Sequence, residues 1–128
     1  MFLDSVSSVM TERALTATWQ RAQLISHNIA NQDTPNFKAR RLQFEGQLRA
    51  AMERSARGGG SRQERLDSIR GVTPQVVIDN RTSIRADGNN VDSDAEHIEL
   101  ARVQLQYQAL RDRMNGHFNR LSTAISGQ

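Results

Sequence analysis

The chain has 128 residues, of which 37% are apolar, with one tryptophan, one tyrosine, four phenylalanines and no cysteine. One domain is the expected organisation, and disulfides and thiolate metal sites are excluded. The net charge is +3 and the pI about 10.5, which raises nucleic-acid binding as a function class. The surplus is local: residues 38–70 carry nine basic and four acidic side chains, while both ends are near balance. So few core-forming residues predict either disorder or a shape that neighbouring subunits complete. No stretch approaches the roughly 20 apolar residues that span a bilayer, so no direct membrane insertion is expected. The start MFLDSVSSVMTER lacks a basic lead and a continuous apolar run, so no cleaved signal peptide is expected.

In chain order, Leu3, Met10, Ala17 and Leu24 recur every seven residues, and Leu15, Ala22 and Ile29 repeat on a neighbouring track with Ile25 between them. This wide apolar arc predicts a helix over about 3–31, covered on more than one side. Asn31 is placed to end it, since Asn tolerates the left-handed conformation, and Pro35 forces Thr34 out of the helical region. The amides of Asn28 and Asn31 are candidates to tie this helix end to the extended segment that follows, Asn36 to Phe44. Phe44, Leu48, Ala51 and Met52 fall at helical spacing, predicting a short helix near 45–56. Ser55 to Arg62, with Gly58, Gly59 and Gly60, reads as a flexible linker. Gln75–Asp79 and Thr82–Ala86 read as a small hairpin across Asn80-Arg81, marginal on its own in water.

Ser93-Asp94-Ala95-Glu96 has capping-box spacing, and acidic residues crowd the first turn of the helix it opens. A heptad seam follows: Leu100, Val103, Tyr107, Leu110, Met114, His117, Leu121 and Ala124. Sustained over more than three heptads, it predicts a coiled-coil-forming helix over about 94–126. Ile98, Leu105, Phe118 and Ile125 are expected beside the seam, widening it. The expected fold class is all-α. It has long N- and C-terminal helices as an antiparallel coiled-coil pair and a flexible, poorly ordered basic middle over about 32–92, with room for the short helix and the hairpin. Apolar surface then remains on both helices for other subunits, because Leu3/Met10/Leu24 and Leu15/Ile25/Ile29 cannot all face one partner.

The run His27-Asn28-Ile29-Ala30-Asn31-Gln32-Asp33-Thr34-Pro35-Asn36-Phe37-Lys38-Ala39-Arg40 resembles the N-terminal signature of the flagellar rod and hook axial protein family. Asp87-Gly88-Asn89-Asn90-Val91-Asp92, then Leu105-Gln106-Tyr107-Gln108-Ala109-Leu110 and Thr123-Ala124-Ile125-Ser126-Gly127, resemble the same family in order and spacing. The resemblance covers roughly residues 10–45 and 85–127. The short middle leaves no room for the β domains inserted in hook and distal-rod members, so the resemblance is to a proximal-rod type. It implies one rod-core domain over 1–128 and export through the flagellar type III apparatus without processing. It also implies open helical assembly in the periplasm, with other rod subunits, the membrane-ring protein and its small rod adaptor as partners. Family-motif positions are Asn28, Ile29, Ala30, Asn31, Asp33, Thr34, Pro35, Phe37 and Lys38; helix-packing positions are Leu15, Ala22, Ile25, Ile29, Leu100, Val103, Tyr107, Leu110, Met114 and Leu121.

Other readings compete. Asn and Pro are common helix stops by themselves, and the heptad seam serves an intramolecular contact as well as a contact between subunits. His27, His97 and His117 lie far apart with no Cys or Glu-x-x-His companion, so no metal is expected. Gly58-Gly59-Gly60-Ser61 lacks the Gly-Lys-Ser/Thr ending of a phosphate loop and no nucleophile elbow occurs, so no cofactor and no catalysis are expected. Arg40-Arg41 beside Phe37 keeps a basic coiled-coil module binding nucleic acid as the alternative. The interleaved acids favour a solvated loop or one facing an acidic neighbour, so no nucleic-acid partner is expected.

Overall fold

The computed structural model describes residues 5–80 and 85–127. The chain runs through α1 (Val6–Ala30), β1 (Arg40–Gln43), α2 (Glu45–Arg57), α3 (Arg62–Arg70), β2 (Gln75–Ile78) and α4 (Ser93–Ser126). Among the described residues it is mostly helical, with one two-stranded antiparallel sheet. The Ser5 hydroxyl opens α1 by accepting the Ser8 N–H at 3.0 Å; Leu3, the expected start, lies outside the described residues. Asn31 does end the helix, but with φ −102°, so the left-handed residue here is Asn36 at φ 60°.

α1 and α4 lie side by side and antiparallel. Ser7 meets Arg113 (3.2 Å), Trp19 stacks at a 48° tilt on Tyr107 with ring centres 6.1 Å apart, and Asn28 meets Glu96 (3.1 Å). The apolar core, however, is not between them. One cluster joins Ala17 to Leu42, Phe44, Ala51 and Val72, with Ala14, Leu24 and Leu48 against it. A second joins Val9 to Leu66 and Ile69, with Val6 and Met10. The Met10–Ala17–Leu24 track is therefore covered by the middle of the same chain. This corrects the expectation that the apolar surplus of α1 must meet another subunit. On α4 only Glu96 and Val103 are buried; Leu100, Tyr107, Leu110, Met114 and Leu121 are half-buried.

The middle folds back along α1. The short helix expected near 45–56 is α2, and α3 is a helix the pattern reading did not expect. Its start is a full capping box: the Ser61 hydroxyl accepts the Glu64 N–H while the Glu64 carboxylate accepts the Ser61 N–H. Three residues apart, Leu66 and Ile69 are 2% and 1% exposed against α1. The expected strand at Gln75–Asp79 forms, but it pairs with β1, in the register Arg40↔Ile78 to Gln43↔Gln75. Positions 82–84 of the expected second hairpin arm lie outside the described residues. Pairing with β1 keeps Leu42 in the first cluster and ties the middle to the segment after α1.

Arg21 secures the start of α2 by a two-pronged contact with Glu45, each N···O distance 2.8 Å. This hydrogen-bonded guanidinium holds the Glu45 carboxyl below its ordinary range. A carboxylate with a depressed folded pKa stabilises above its unfolded pKa, and that contribution is lost as the pH falls through the folded value.

Candidate functional site

Three buried asparagines draw distant segments together around the end of α1. Asn28 and Asn89 are 0% exposed and Asn90 is 6% exposed. In the β1–β2 ladder the Asp79 N–H donates to the Ala39 carbonyl at 2.8 Å. Paired positions alternate in an antiparallel ladder, so the N–H and C=O of Arg40 point away from β2. Asn28 takes both: its Oδ1 accepts the Arg40 N–H (2.9 Å) and its Nδ2 donates to the Arg40 carbonyl (2.9 Å). One carboxamide on the last turn of α1 thus acts as a one-residue strand on the outer edge of β1.

The second Nδ2 hydrogen of Asn28 goes to Glu96 Oε2 at 3.1 Å, and Glu96 Oε1 takes an ion pair to Arg41 Nη1 at 2.5 Å. Glu96 is 1% exposed. The expected capping box of Ser93 and Glu96 is therefore corrected. Asp92 caps α4 by accepting the Ala95 N–H (3.1 Å), and Glu96 turns inward to join α4 to α1 and β1.

Asn90 sits at the open end of the ladder, its Oδ1 accepting the Ala39 N–H (2.7 Å) and its Nδ2 donating to the Asp79 carbonyl. Asn89 Nδ2 donates to the carbonyls of Asn31 and Thr34, both at 2.9 Å, and its Oδ1 accepts the Val91 N–H at 2.8 Å. The Asn31 and Thr34 carbonyls also accept the turn N–H groups of Thr34 and Phe37, and the asparagine amides add to these bonds where buried backbone groups are costly to leave unmade. Asn89 and Asn90 belong to the quoted Asp87–Asp92 run but were not among the expected site residues. A polar Asn-Asn pair just before a capped helix was the signal available.

The remaining motif residues divide between the knot and its exposed surroundings. The Asn31 side chain stays local, Nδ2 donating to the His27 carbonyl and Oδ1 accepting the Thr34 hydroxyl, so Asn28 rather than Asn31 ties the helix to the extended segment. Asp33 pairs with Arg85 at the exposed rim (3.4 Å), Phe37 stacks on His27 with ring centres 5.6 Å apart, and Lys38 donates to the Gly88 carbonyl. Ile29 is half-buried, while Ala30 and Pro35 are exposed.

Asn36 approaches Gly88 so closely that a Cβ on Gly88, at φ +82°, would lie 2.5 Å from Asn36 Oδ1. Gly88→Ala should therefore destabilise by about 1–3 kcal/mol, read as a lowered urea midpoint, from the positive φ and the clash together.

Of the helix-packing positions, Ile25 and Val103 are buried, at 3% and 1% exposure. Ala22, Leu100, Val103 and Tyr107 line a groove of about 640 Å³ between α1 and α4, and Leu15 lines a neighbouring cleft with Trp19 and Tyr107. Ile98 and Leu105 are placed differently from expectation. At about 100° per residue they lie about 140° and 160° round α4 from Val103, on the face away from α1. Both are exposed, at 72% and 68%. Phe118 and Ile125 flank the seam, at 48% and 78% exposure.

Among the described residues, no three His, Asp or Glu side chains stand together to hold a metal ion. His27 faces Phe37, His97 lies 2.7 Å from the Ser93 carbonyl, and His117 contacts Arg120. No helix among them is long and apolar enough to cross a membrane.

No protein-family model matches the chain. Over 116 residues it is 39% identical to the flagellar basal body rod protein FlgB of Bacillus subtilis (strain 168), covering 91% of this chain and 90% of that one. It is 33% identical over 118 residues to the protein of the same name from Aeromonas hydrophila, covering 90% and 89%. For the Escherichia coli (strain K12) protein the figures are 29% over 133 residues and 96% of each chain. A knot built from both ends of the motif-bearing sequence, in a chain alike over nine-tenths of its length to these proteins, has one assignment: the chain belongs to the FlgB family of flagellar basal body rod proteins.

Proposed function

We propose that this structural rod protein, which is not an enzyme, occupies the proximal rod and works as one rod-core unit over residues 1–128. In this reading α1 and α4 act as an antiparallel coiled-coil pair, and the asparagine knot holds their shared end at a set angle. The observation that carries the reading is the incomplete cover of α4. Most of its heptad seam is half-buried, and Ile98, Leu105, Phe118 and Ile125 remain exposed. A helix in this state gains by packing against neighbours. The neighbours are other rod subunits, the membrane-ring protein and that ring's small rod adaptor. Assembly is open and helical, in the periplasm, after export of the unprocessed chain through the type III apparatus, and it transmits torque from ring to hook. The relatives give the nucleic-acid alternative no support.

Electron microscopy of basal bodies from a strain lacking this chain tests the reading. Bare membrane rings without a rod are expected, restored by the wild-type chain. Complete rods and normal motility without the chain would refute it.

A further inference from the structure

We propose that the outward face of α4, the strip Ile98–Ala101–Leu105–Ala109, seats in the groove between α1 and α4 of a second copy of this chain. The proposal rests on the rod reading above and names a contact which that reading leaves unspecified. All four residues are exposed, and their spacing of three, then four, then four residues keeps them on one side of the helix. The strip is about 16 Å long at 1.5 Å per residue. The groove has an apolar floor of Ala22, Val103 and Tyr107, with Trp19 at its wall still 54% exposed. It runs along α4 from Leu100 to Arg111, the same helical length as the strip.

Charge complements the contact at one end of the groove. Asp94 and Asp112 lie on the strip's side of α4, one before Ile98 and one beyond Ala109, so the apolar patch has acidic ends. The groove ends at Arg111, whose own link to Asp112 is an exposed 3.3 Å contact, and its other polar lining is neutral: Gln23, Ser26, Gln104 and Gln108. An exposed pair of that kind is weak and readily exchanged for the same pair between molecules.

Strip and groove cannot meet within one molecule. Tyr107 points about 160° away from Leu105 around the helix. Two different surfaces of the same chain that fit one another make a head-to-tail contact, and repetition of such a contact yields a ring or an open helix of several copies rather than a closed pair.

The absence of cysteine makes the test direct. Two differently tagged full-length copies are expressed together, one with Leu105→Cys and one with Gln23→Cys, and basal bodies are treated with a short bifunctional maleimide. A product carrying both tags is expected, with none when Gln106→Cys, on the neighbouring exposed face, replaces Leu105→Cys. A copy bearing both Leu105→Cys and Gln23→Cys should give species larger than a dimer. Leu105→Glu should leave the far-ultraviolet circular dichroism unchanged, since the side chain is exposed, and lower recovery in basal bodies about tenfold or more.

Cross-linking no greater than the Gln106→Cys control, products that stop at two copies, or normal recovery of Leu105→Glu would each overturn the contact while leaving the rod reading intact. If the wild-type chain itself is absent from basal bodies, the rod reading fails and the contact fails with it.

Discussion

Asn28→Asp should be severely damaging, costing about 4 kcal/mol or more of unfolding free energy at neutral pH. The substitution exchanges the Nδ2 donor for a carboxylate oxygen. That oxygen would face Glu96 Oε2 from 3.1 Å and the Arg40 carbonyl from 2.9 Å, at a position with no exposed surface. Two hydrogen bonds become two repulsive contacts, one of them between like charges in a site closed to water. Arg41 already serves Glu96 from the other side and is poorly placed to neutralise both carboxylates.

Asn28→Ala should cost less, about 2–4 kcal/mol, because it leaves the Arg40 N–H and C=O unmade without adding a charge. The pH dependence separates the two variants. With two carboxyls in contact, uptake of one proton restores a donor, so the Asn28→Asp penalty should shrink as the pH falls. That is opposite in sign to the Arg21–Glu45 contact, whose contribution declines on acidification. Urea unfolding followed by Trp19 fluorescence at several pH values would measure all three. An Asn28→Asp variant within about 1 kcal/mol of wild type would mean that the knot does not bind the helix end to the strand.

Leu66→Ala should cost about 2–4 kcal/mol, the range for truncating a leucine in a packed core that collapses only in part. Leu66 is 2% exposed, between Ile69 of its own helix and Val9 of α1. The effect decides whether the middle of the chain is a loose excursion or a true cover for α1. A loss below about 0.5 kcal/mol, the level of an ordinary surface change, would show that α3 does not dock on α1 in solution. Hydrogen exchange gives a second reading. Amides of α1 near Val9 should lose protection in Leu66→Ala while those of α4 near Val103 keep theirs, because the two apolar clusters lie on the side of α1 away from α4.

The two predictions bear on assembly in different ways. The knot sets how α1, β1 and α4 meet, so damage to it alters the shape a neighbour must fit. Leu66 acts on the far side of α1 and leaves the half-covered seam and the outward strip of α4 in place. Both surfaces proposed for contact with other copies lie on or beside α4, a long helix of which only Glu96 and Val103 are buried.

By itself the sequence determined the two long helices and most of what faces α1 from α4. Periodicities of seven residues in Met10–Ala17–Leu24 and in Leu100–Tyr107–Met114–Leu121 are properties of a single helix, and a helix makes its hydrogen bonds within itself. The end of α1 was legible for the same reason, since Asn31 and Pro35 act on their immediate neighbours. Even α3 left a local mark, the capping-box pair Ser61 and Glu64 directly after the glycine run.

What only the tertiary structure decided are the choices that depend on a distant partner. The β-branched run Val76-Val77-Ile78 within Gln75–Asp79 announces a strand but not whether it pairs with residues just after it or with Arg40–Gln43. Glu96 at capping-box spacing had two possible uses, and the buried meeting with Asn28 and Arg41 prevailed because a backbone cap was already available from Asp92. The surplus apolar track of α1 looked like a surface for another molecule until residues 42–72 closed over it. In each case local chemistry permitted more than one outcome. The outcome taken was the one in which distant segments covered apolar side chains and gave buried polar groups their partners, a condition that no single segment can express.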